Sequence, residues 1–288
     1  MKIIDKICYY FSKELRKIIR EEICPLLIEN NSQMYLVNNE IEERKKNPLY
    51  LESYGYKVYS QNDEDGIIEE IFNRIGVTNK IFVEFGLQDG LESNTHFLLH
   101  KGWKGLWIEG SEKYCREIAQ KFNRPISNGR LVIKNAFINK DNIDGLITDN
   151  LPLDIKNDNV IDLLSIDIDG NDYYVWNAIK CVSPRVVVIE YNSKFPANFE
   201  WIMEYDAEHI WNGDDEQGAS LKALQLLGEK LGYQLVGTSI NGINAFFVKK
   251  DLAADKFVLP ATSENLYNSA KYYNKYRNGH PSKKYIGK

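Results

Sequence analysis

The chain has 288 residues and a formal net charge of −5, with 43% hydrophobic and 27% charged residues. This composition is that of an ordinary globular protein, long enough for one domain of catalytic size with extensions. The acidic balance argues against a general nucleic-acid binder, because neutralising phosphates takes clustered Lys and Arg. No stretch of the sequence reaches the roughly 20 apolar residues that a membrane-spanning helix needs.

The four cysteines are Cys8, Cys24, Cys115 and Cys181, and no two of them form a C-x-x-C pair. This spacing indicates neither a disulfide framework nor a zinc ribbon. We therefore expect reduced thiols, as in a cytosolic protein. The N-terminal residues are interrupted by charge every few positions and lack the apolar core of a signal peptide. The predicted location is cytoplasmic, without stable membrane insertion.

An amphipathic helix is predicted at the N-terminus, because six apolar residues recur there at spacings of three and four. We assign residues 1–55 to an N-terminal helical extension. Its apolar face is expected to pack on the rest of the fold or on a second subunit, so a homo-oligomer through this helix is one expectation. A membrane-surface helix is the alternative, weakened by three glutamates. These residues are Ile3, Ile4, Ile7, Phe11, Leu15 and Ile18, with Glu14, Glu21 and Glu22.

Short apolar runs alternate with amphipathic segments in the middle of the chain. Before them, Ser60 or Asn62 is predicted to cap a helix that stops at Gly76. Near-continuous apolar strands separated by helices indicate a parallel sheet that is covered on both faces. The five predicted strands are residues 81–85, 105–109, 131–135, 161–167 and 186–191.

Two further strands, YQLVGTS and NAFFVKK, are separated only by INGI. That connection is too short for a parallel crossover, so an antiparallel hairpin is predicted. The predicted fold class is α/β, Rossmann-like of the class I methyltransferase type: a mostly parallel seven-stranded sheet with an antiparallel closing hairpin and helices on both faces. We place this domain at residues 56–255, with an acceptor-site insert at 192–217, and interpret residues 256–288 as a polar tail.

The loop EFGLQDG follows the first predicted strand, at the edge where open α/β sheets bind ligands. A dinucleotide fingerprint would read G-x-G-x-x-G, but only Gly86 and Gly90 are present, and no P-loop sequence follows them. Asp89 would also repel a pyrophosphate. An acidic loop suits a ligand with cationic and hydroxyl groups, such as S-adenosylmethionine with its sulfonium, ammonium and ribose.

Acidic residues end the first two predicted strands. Glu84 is expected to face the methionine ammonium, and Glu109 is expected to accept both ribose hydroxyls. Solvated strand ends are the alternative for both. Ser93 or Asn94 is predicted to cap the next helix, whose free N–H groups would meet the methionine carboxylate. The other residues assigned to the cofactor site are Gln61, Gly86, Asp89, Asn135, Ala136 and Asp167.

Five segments occur in a fixed order along the chain: SQNDEDGII, FVEFGLQDGLESNTHFLLHKGWKGLWIEGSEKY, LLSIDIDGNDYYVW, VVVIEYN, and GASLKAL followed by GYQLVGTSINGINAFFV. In order and spacing they resemble FkbM-type S-adenosylmethionine-dependent methyltransferases over about residues 55–250. This family includes enzymes encoded in bacterial capsule and O-antigen clusters, so the resemblance implies a cell-surface sugar as acceptor. Gln88 departs from the common E/D-x-G-x-G-x-G loop by replacing its middle glycine.

Methyl transfer to a hydroxyl needs donor and acceptor in line and a group that takes the proton. Asp167 and Asp169 follow the fourth predicted strand and point to different sides, so one is predicted to face the donor and the other the acceptor or a metal. Asp172 is assigned to a helix cap. Glu190 and Asn192 end the fifth strand beside Asp167. This group is predicted to hold Mg²⁺, with a hydrogen-bonded acidic cluster without metal as the alternative.

His209 lies in the insert and is predicted to be a general base or an acceptor contact, the alternative being a loop histidine without a special role. Trp201, Tyr205 and Trp211 are expected either to pack on a sugar ring or to hold the insert to the core. The predicted substrate contacts are Glu190, Tyr191, Asn192 and Trp211. His96 and His100 are expected to pack and not to bind a metal.

The leading hypothesis is an S-adenosylmethionine-dependent O-methyltransferase that acts on a nucleotide-linked or glycan sugar. One alternative keeps the cofactor but transfers the methyl group to a small non-sugar metabolite or to nitrogen. Another is a non-catalytic scaffold of the same fold, which the acidic strand ends disfavour. A nicotinamide dehydrogenase is disfavoured by the missing glycine and by the antiparallel closing strands.

Overall fold

The computed structural model describes residues 12–15, 17–18, 42–44, 46–151, 159–213 and 215–271. They fall into two compact units, one ending at Asn47 and one running from Pro48 to Lys271. Residues 12–15 and 17–18 of the first unit are helical. The rest of the predicted N-terminal apolar face, and with it the predicted oligomer contact, lies outside the described residues. Within the described ranges, no helix is long and apolar enough to cross a membrane.

A seven-stranded sheet forms the centre of the second unit. Its strands are β1 (Ile81–Phe85), β2 (Lys104–Glu109), β3 (Leu131–Asn135), β4 (Val160–Ile166), β5 (Ser183–Glu190), β6 (Tyr233–Thr238) and β7 (Asn244–Lys249). The strand order is β3-β2-β1-β4-β5-β7-β6. Strands β1 to β5 are parallel, whereas β7 is antiparallel to both β5 and β6. This order is that of the Rossmann-like class I methyltransferase fold, so the predicted fold class is confirmed.

Helices cover both faces of the sheet. Alternate residues of the central strands divide the buried core into two clusters, with Val83 and Leu106 in one and Phe82 and Trp107 in the other. Burial on both faces explains why these strands read as continuous apolar runs. The helices are α1 (Glu64–Ile75), α2 (His96–His100), α3 (Glu112–Lys121), α4 (Asn123–Ser127), α5 (Ile143–Asn150), α6 (Asp172–Ala178), α7 (Leu221–Lys230), α8 (Lys250–Ala253) and α9 (Ser263–Leu266).

The segment before α1 is held by the side chains of Asp65 and Ser60, although neither Ser60 nor Asn62 occupies the N-cap position. Asp63 occupies the N-cap position of α1 and makes no side-chain capping bond. The carboxylate of Asp65 instead accepts the backbone N–H groups of residues 58–60 at 2.7 to 2.9 Å. Ser60 accepts the N–H of Asp65 at 3.2 Å. The prediction that Ser60 or Asn62 is the N-cap is therefore wrong, although the helix does end at Ile75, before Gly76.

Both boundaries of the predicted domain change. Leu51 is fully buried although the sequence placed it in the N-terminal extension. Leu266 is also fully buried although it lies in the predicted polar tail. The hydroxyl of Tyr191 donates to the carbonyl oxygen of Asn268 at 2.6 Å. The fold therefore runs from Pro48 to Lys271, and residues 272–288 of the predicted tail lie outside the described part of the chain.

The insert at 192–217 is tied to the fold at several points, with residue 214 outside the described residues. Ile202 forms an isolated bridge with Ala219. Trp201 stacks on Phe195 with ring centroids 4.6 Å apart. Tyr205 packs edge-on against Tyr174 at 5.2 Å. Tyr205 therefore holds the insert to α6, which is one of the two expectations, whereas the Trp201 ring packs within the insert.

Candidate functional site

Two adjoining cavities open at the carboxyl ends of the parallel strands, where open α/β sheets bind ligands. The larger has a volume of about 440 Å³ and the smaller about 120 Å³. Gly86, Gln88 and Asp167 line both, so the cavities meet at these residues. Among the other predicted site residues, the larger is lined by Glu109, Ala136, Asp169, His209 and Trp211, and the smaller by Gln61, Glu84, Asp89 and Asn94.

The loop after β1 keeps the path of a glycine-rich loop although its middle glycine is absent. Gly86 adopts φ 69°, which brings the chain against the backbone of Asp167. Gln88 adopts φ 49°, a left-handed conformation that is uncommon for a residue with a side chain. Its N–H donates to Oε2 of Glu109 at 3.0 Å. This hydrogen bond to a buried carboxylate stabilises the strained residue that replaces the glycine.

Glu84 holds the segment that leads into α2. Oε1 accepts the N–H of Asn94 at 2.8 Å, and Oε2 accepts the N–H of Thr95 at 3.2 Å and its hydroxyl group. Burial raises the pKa of the Glu84 carboxyl. Thr95 occupies the N-cap position of α2 but makes no side-chain capping bond. The hydroxyl of Ser93 instead accepts the N–H of His96 at 3.1 Å, so the capping role predicted for Ser93 or Asn94 is taken by Ser93 from outside the N-cap position. Glu84 lines the smaller cavity, but its carboxylate is used mainly to bind the protein's own backbone.

Glu109 ends β2 and reaches the larger cavity. Oε1 accepts the N–H of Ser111 at 2.8 Å, while Oε2 accepts the N–H of Gln88 at 3.0 Å. Burial raises the pKa of its carboxyl group. Asn135, at the end of the neighbouring strand β3, donates to the carbonyl oxygens of Glu109 and Gly110 at 2.8 and 3.0 Å. Asn135 therefore braces the turn after β2 and, unlike Ala136, is not part of the cavity lining.

Three carboxylates converge beside the point where the two cavities meet. Asp167 lines both cavities, Asp169 lines only the larger one, and Glu190 lines neither. One oxygen from each of Asp167, Asp169 and Glu190 lies within 4.8 Å of the others. Burial is the main cause that raises the pKa of Asp167, followed by the charge of Asp169. Burial and then the charge of Asp167 raise the pKa of Glu190. Asp169 adopts φ 54°, an uncommon conformation of the kind that recurs at active sites. The sequence prediction that these strand ends converge is met.

Asp172 organises the loop that carries these carboxylates. Its two oxygens accept the N–H groups of Ile168 and Gly170, each at 2.9 Å. Its pKa is raised to about 6, mainly by burial. Asn171, and not Asp172, occupies the N-cap position of α6. The expected capping role is thus replaced by a bracing role, and Asp172 does not line either cavity.

His209 connects the insert to the loop after β4. Its Nε2 lies 3.1 Å from the carbonyl oxygen of Asp169, so this nitrogen carries the proton. The amide of Asn171 donates to the carbonyl oxygen of Asp206 at 2.6 Å. The two contacts bring the insert, with Trp211, over the larger cavity. The role of His209 as a base stays a prediction.

Two of the predicted substrate contacts have structural roles instead. Tyr191 is 1% exposed, and its ring packs edge-on against Tyr267. The amide of Asn192 donates to the carbonyl oxygens of Asp215 and Gln217 at 2.9 and 3.1 Å. Neither residue lines the cavities, because Tyr191 packs against the segment of Tyr267 and Asn268 and the Asn192 amide is bound by the insert. We therefore withdraw Tyr191 and Asn192 as substrate contacts.

Several residues that line the cavities were not predicted from the sequence. Tyr114 and Phe137 lie in the larger cavity, and Phe137 is 48% exposed. Asn171 and Asn244 are both buried, and each has an amide oxygen with no hydrogen-bond partner among the described residues. A signal existed for Phe137, which follows Ala136 directly. None existed for Asn244, which lies far from the glycine loop in sequence.

His96 and His100 pack as expected. Tyr59 stacks on both imidazole rings, with centroids 4.0 Å from His96 and 5.0 Å from His100. Nδ1 of His96 also lies 3.2 Å from the carbonyl oxygen of Leu91. The spacing of four residues therefore places both imidazole rings on the side of the helix that packs against Tyr59.

No protein-family model matches the sequence, and no curated protein matches it. An O-methyltransferase from Bacillus cereus, in complex with SAH, is 15% identical over 74% of this chain and 90% of its own, with a TM-score of 0.42. The O-methyltransferase TomG from Streptomyces achromogenes, in complex with SAM, is 16% identical over 63% and 78%, with a TM-score of 0.39. A SAM-dependent methyltransferase from Aquifex aeolicus is 14% identical over 63% and 89%, with a TM-score of 0.35. At these identities the likeness concerns the fold alone.

Proposed function

We propose that the protein is an S-adenosylmethionine-dependent O-methyltransferase. The observation that carries this proposal is the pair of cavities that meet at Gly86, Gln88 and Asp167, at the carboxyl edge of a class I methyltransferase sheet. A donor with a nucleoside at one end and an amino acid at the other suits two cavities of unequal size. Its sulfonium would then lie beside the three carboxylates.

Charge favours this donor over a dinucleotide. The smaller cavity is lined by the carboxylates of Glu84, Asp89, Glu92 and Asp167 and by no described Lys or Arg. Asp89 is paired with Lys121 and Glu92 with Lys57, so the charge argument rests on Glu84 and Asp167. Such a lining repels a pyrophosphate and attracts an ammonium group. In the larger cavity, Glu109 would accept the ribose hydroxyls, and Phe137 would offer an aromatic face to the adenine.

The chemistry requires one proton acceptor. The methyl carbon leaves the sulfonium, which becomes a neutral thioether, and forms a bond to the acceptor oxygen, which gives up its proton. Asp167 and Asp169 lie at the junction of the cavities, and the raised pKa of Asp167 makes it a stronger base than an ordinary carboxylate. We assign the removal of the proton to Asp167 and Asp169. His209 would hold the insert in place.

The acceptor that we propose is a hydroxyl of a nucleotide-linked or glycan sugar, of the kind found in capsule or O-antigen polysaccharides. The resemblance to FkbM-type enzymes supports this choice, and so does Trp211 in the lining of the larger cavity. Aromatic faces pack well against sugar rings. A homo-oligomer through the N-terminal helix stays a prediction.

We also propose that the carboxylate cluster binds a divalent cation. Three carboxylate oxygens within 4.8 Å of one another suit a hard ion such as Mg²⁺, which takes carboxylate, water and substrate oxygens. Asp167, Asp169 and Glu190 would hold it. A bound cation would lower the pKa of an acceptor hydroxyl and thereby ease its deprotonation.

The first test is calorimetric titration of the purified protein with S-adenosylhomocysteine, with NAD as the parallel control. We expect micromolar binding of S-adenosylhomocysteine and no binding of NAD. Binding of NAD alone, or of neither compound, would contradict the proposal. Transfer of a labelled methyl group from S-adenosylmethionine to a panel of nucleotide sugars would then test the acceptor class.

A further inference from the structure

Asn244 lines the smaller cavity and carries a hydrogen-bond acceptor that the described residues leave unused. Asn244 is the first residue of β7 and is 4% exposed. Its amide oxygen Oδ1 is buried and has no hydrogen-bond partner among the described residues. A buried acceptor without a partner destabilises the folded protein, because it has lost its hydrogen bonds to water. A ligand group that donates to it would recover this free energy.

The direction of the Asn244 amide is set by Glu64. Nδ2 of Asn244 donates to Oε1 of Glu64 at 3.0 Å. Glu64 is fully buried, and its Oε2 accepts the N–H of Asn62 at 2.8 Å. A carboxylate accepts hydrogen bonds and does not donate them. The nitrogen of the Asn244 amide must therefore face Glu64, and Oδ1 must face away from it.

The other polar groups of the smaller cavity narrow the choice of ligand group. The lining combines carboxylates with the amides of Gln61, Asn94 and Asn244, without a described Lys or Arg. An ammonium group, with three N–H donors and a positive charge, matches this set. In the proposed function, this cavity takes the amino-acid end of the methyl donor.

We propose that Asn244 binds the α-ammonium group of the methionine moiety through Oδ1, and that Glu64 is the positioning residue that aims this oxygen. The inference rests on the proposed function and adds to it a residue from the antiparallel strand.

The test compares two ligands by calorimetric titration. S-Adenosylhomocysteine carries the amino acid, whereas 5′-methylthioadenosine keeps the nucleoside and the thioether but lacks it. We expect Asn244→Ala to weaken S-adenosylhomocysteine binding by about tenfold to a hundredfold, because a hydrogen bond to a charged group is lost. Binding of 5′-methylthioadenosine should stay within about twofold of the unmodified protein.

Glu64→Gln tests the positioning role. The N–H of Asn62 needs an acceptor, so the oxygen of the introduced glutamine takes the place of Oε2 and its NH₂ group faces residue 244. The Asn244 amide must then turn over and present its own NH₂ to the cavity, and the contact from Asn62 Nδ2 at 3.4 Å is given up. We expect a selective loss of S-adenosylhomocysteine affinity. The double variant Glu64→Gln/Asn244→Asp presents an oxygen to the cavity again and should restore the affinity.

Asn268→Ala is the matched control. Asn268 is a buried asparagine whose amide donates to Thr238 at 3.0 Å, and it does not line the smaller cavity. The Asn268→Ala variant should have a lower melting temperature. The ratio of its affinities for S-adenosylhomocysteine and 5′-methylthioadenosine should be unchanged. Equal weakening of both ligands by Asn244→Ala, or no rescue by the double variant, would overturn the inference while the proposed function stands. If the unmodified protein binds neither ligand, the proposed function fails and the inference fails with it.

Discussion

A Cβ atom added to Gly86 would lie 1.6 Å from the carbonyl oxygen of Asp167. The loop after β1 and the end of β4 therefore touch through backbone atoms, and only glycine permits this contact. Because both residues line both cavities, the closeness of the two chains shapes the point where the cavities meet. The glycine of EFGLQDG serves this junction between strands as well as the turn itself.

Gly86→Ala should therefore abolish S-adenosylhomocysteine binding and lower the melting temperature. The methyl group cannot be accommodated without moving the backbone of Asp167, and φ 69° is also strained for alanine. The measurements are calorimetric titration and thermal unfolding.

Gly129→Ala is the control for strain alone. Gly129 adopts φ 72°, but a Cβ there would meet no atom within 4 Å. It should cost only about 1 kcal/mol and leave binding unchanged. Equal loss of binding in both variants would show that the contact with Asp167 is not the cause.

Glu109→Ala should weaken S-adenosylhomocysteine and 5′-methylthioadenosine alike, because both carry the ribose that Glu109 is proposed to bind. The same change removes the acceptor for the N–H of Gln88, which will loosen the loop. Calorimetric titration of the variant and the unmodified protein with both ligands measures the two losses of affinity.

Asp89→Ala is the control for charge at this site. The Asp89 carboxylate lies on the rim of the smaller cavity but pairs with Lys121 at 2.8 Å. We expect little change in either affinity. If Glu109→Ala also left both affinities unchanged, the ribose assignment would have to be abandoned.

The strands and their parallel or antiparallel directions were predictable because each strand carries its own signal in the sequence. Buried parallel strands are apolar on both faces, and the short INGI connection excludes a crossover. The acidic strand ends were predictable for the same reason, since the carboxyl ends of parallel strands meet at one edge. This rule is sufficient to predict that Asp167, Asp169 and Glu190 lie close together.

The remaining features depend on contacts between distant parts of the chain. Asn244 lies 180 residues from Glu64, and neither residue carries a local pattern that pairs them. The burial of Leu266 likewise depends on the surface that it covers and not on the polar sequence around it. Tyr191 and Asn192 follow a strand end, as site residues do, but Tyr191 is covered by the segment before Lys271 and Asn192 is bound to the insert.

Asp167→Asn should lower turnover much more than it lowers affinity for S-adenosylhomocysteine. The change keeps the size of the side chain but removes a base whose pKa is raised by burial and by Asp169. Loss of a general base typically costs about 10²- to 10⁴-fold in rate. Methyl transfer to the nucleotide sugar identified by the screen, together with titration, separates the two effects. Full turnover in this variant would mean that Asp167 has a structural role.

Stability should depend on pH in a direction set by the buried carboxyls. The pKa of Asp63 is raised to about 7, mainly by burial, and those of Asp167 and Glu190 are also raised. A carboxyl with a raised native pKa adds stability that is fully present below its ordinary pKa of about 4, and loses it as pH rises through the native value. The melting temperature should therefore fall between about pH 5 and pH 8.

Magnesium should reverse part of this fall, because a cation stabilises the ionised forms of Asp167 and Glu190 in the native state. We expect added Mg²⁺ to raise the melting temperature at pH 8 and a chelator to cancel the effect. Glu190→Gln should weaken both the pH dependence and the response to Mg²⁺. Asp63→Asn should flatten the pH dependence near pH 7 but keep that response, because Asp63 lies outside the cluster and its carboxylate accepts the N–H of Ile240. A melting temperature indifferent to Mg²⁺ and to the chelator would refute the cation site and leave the carboxylates as a proton-sharing cluster.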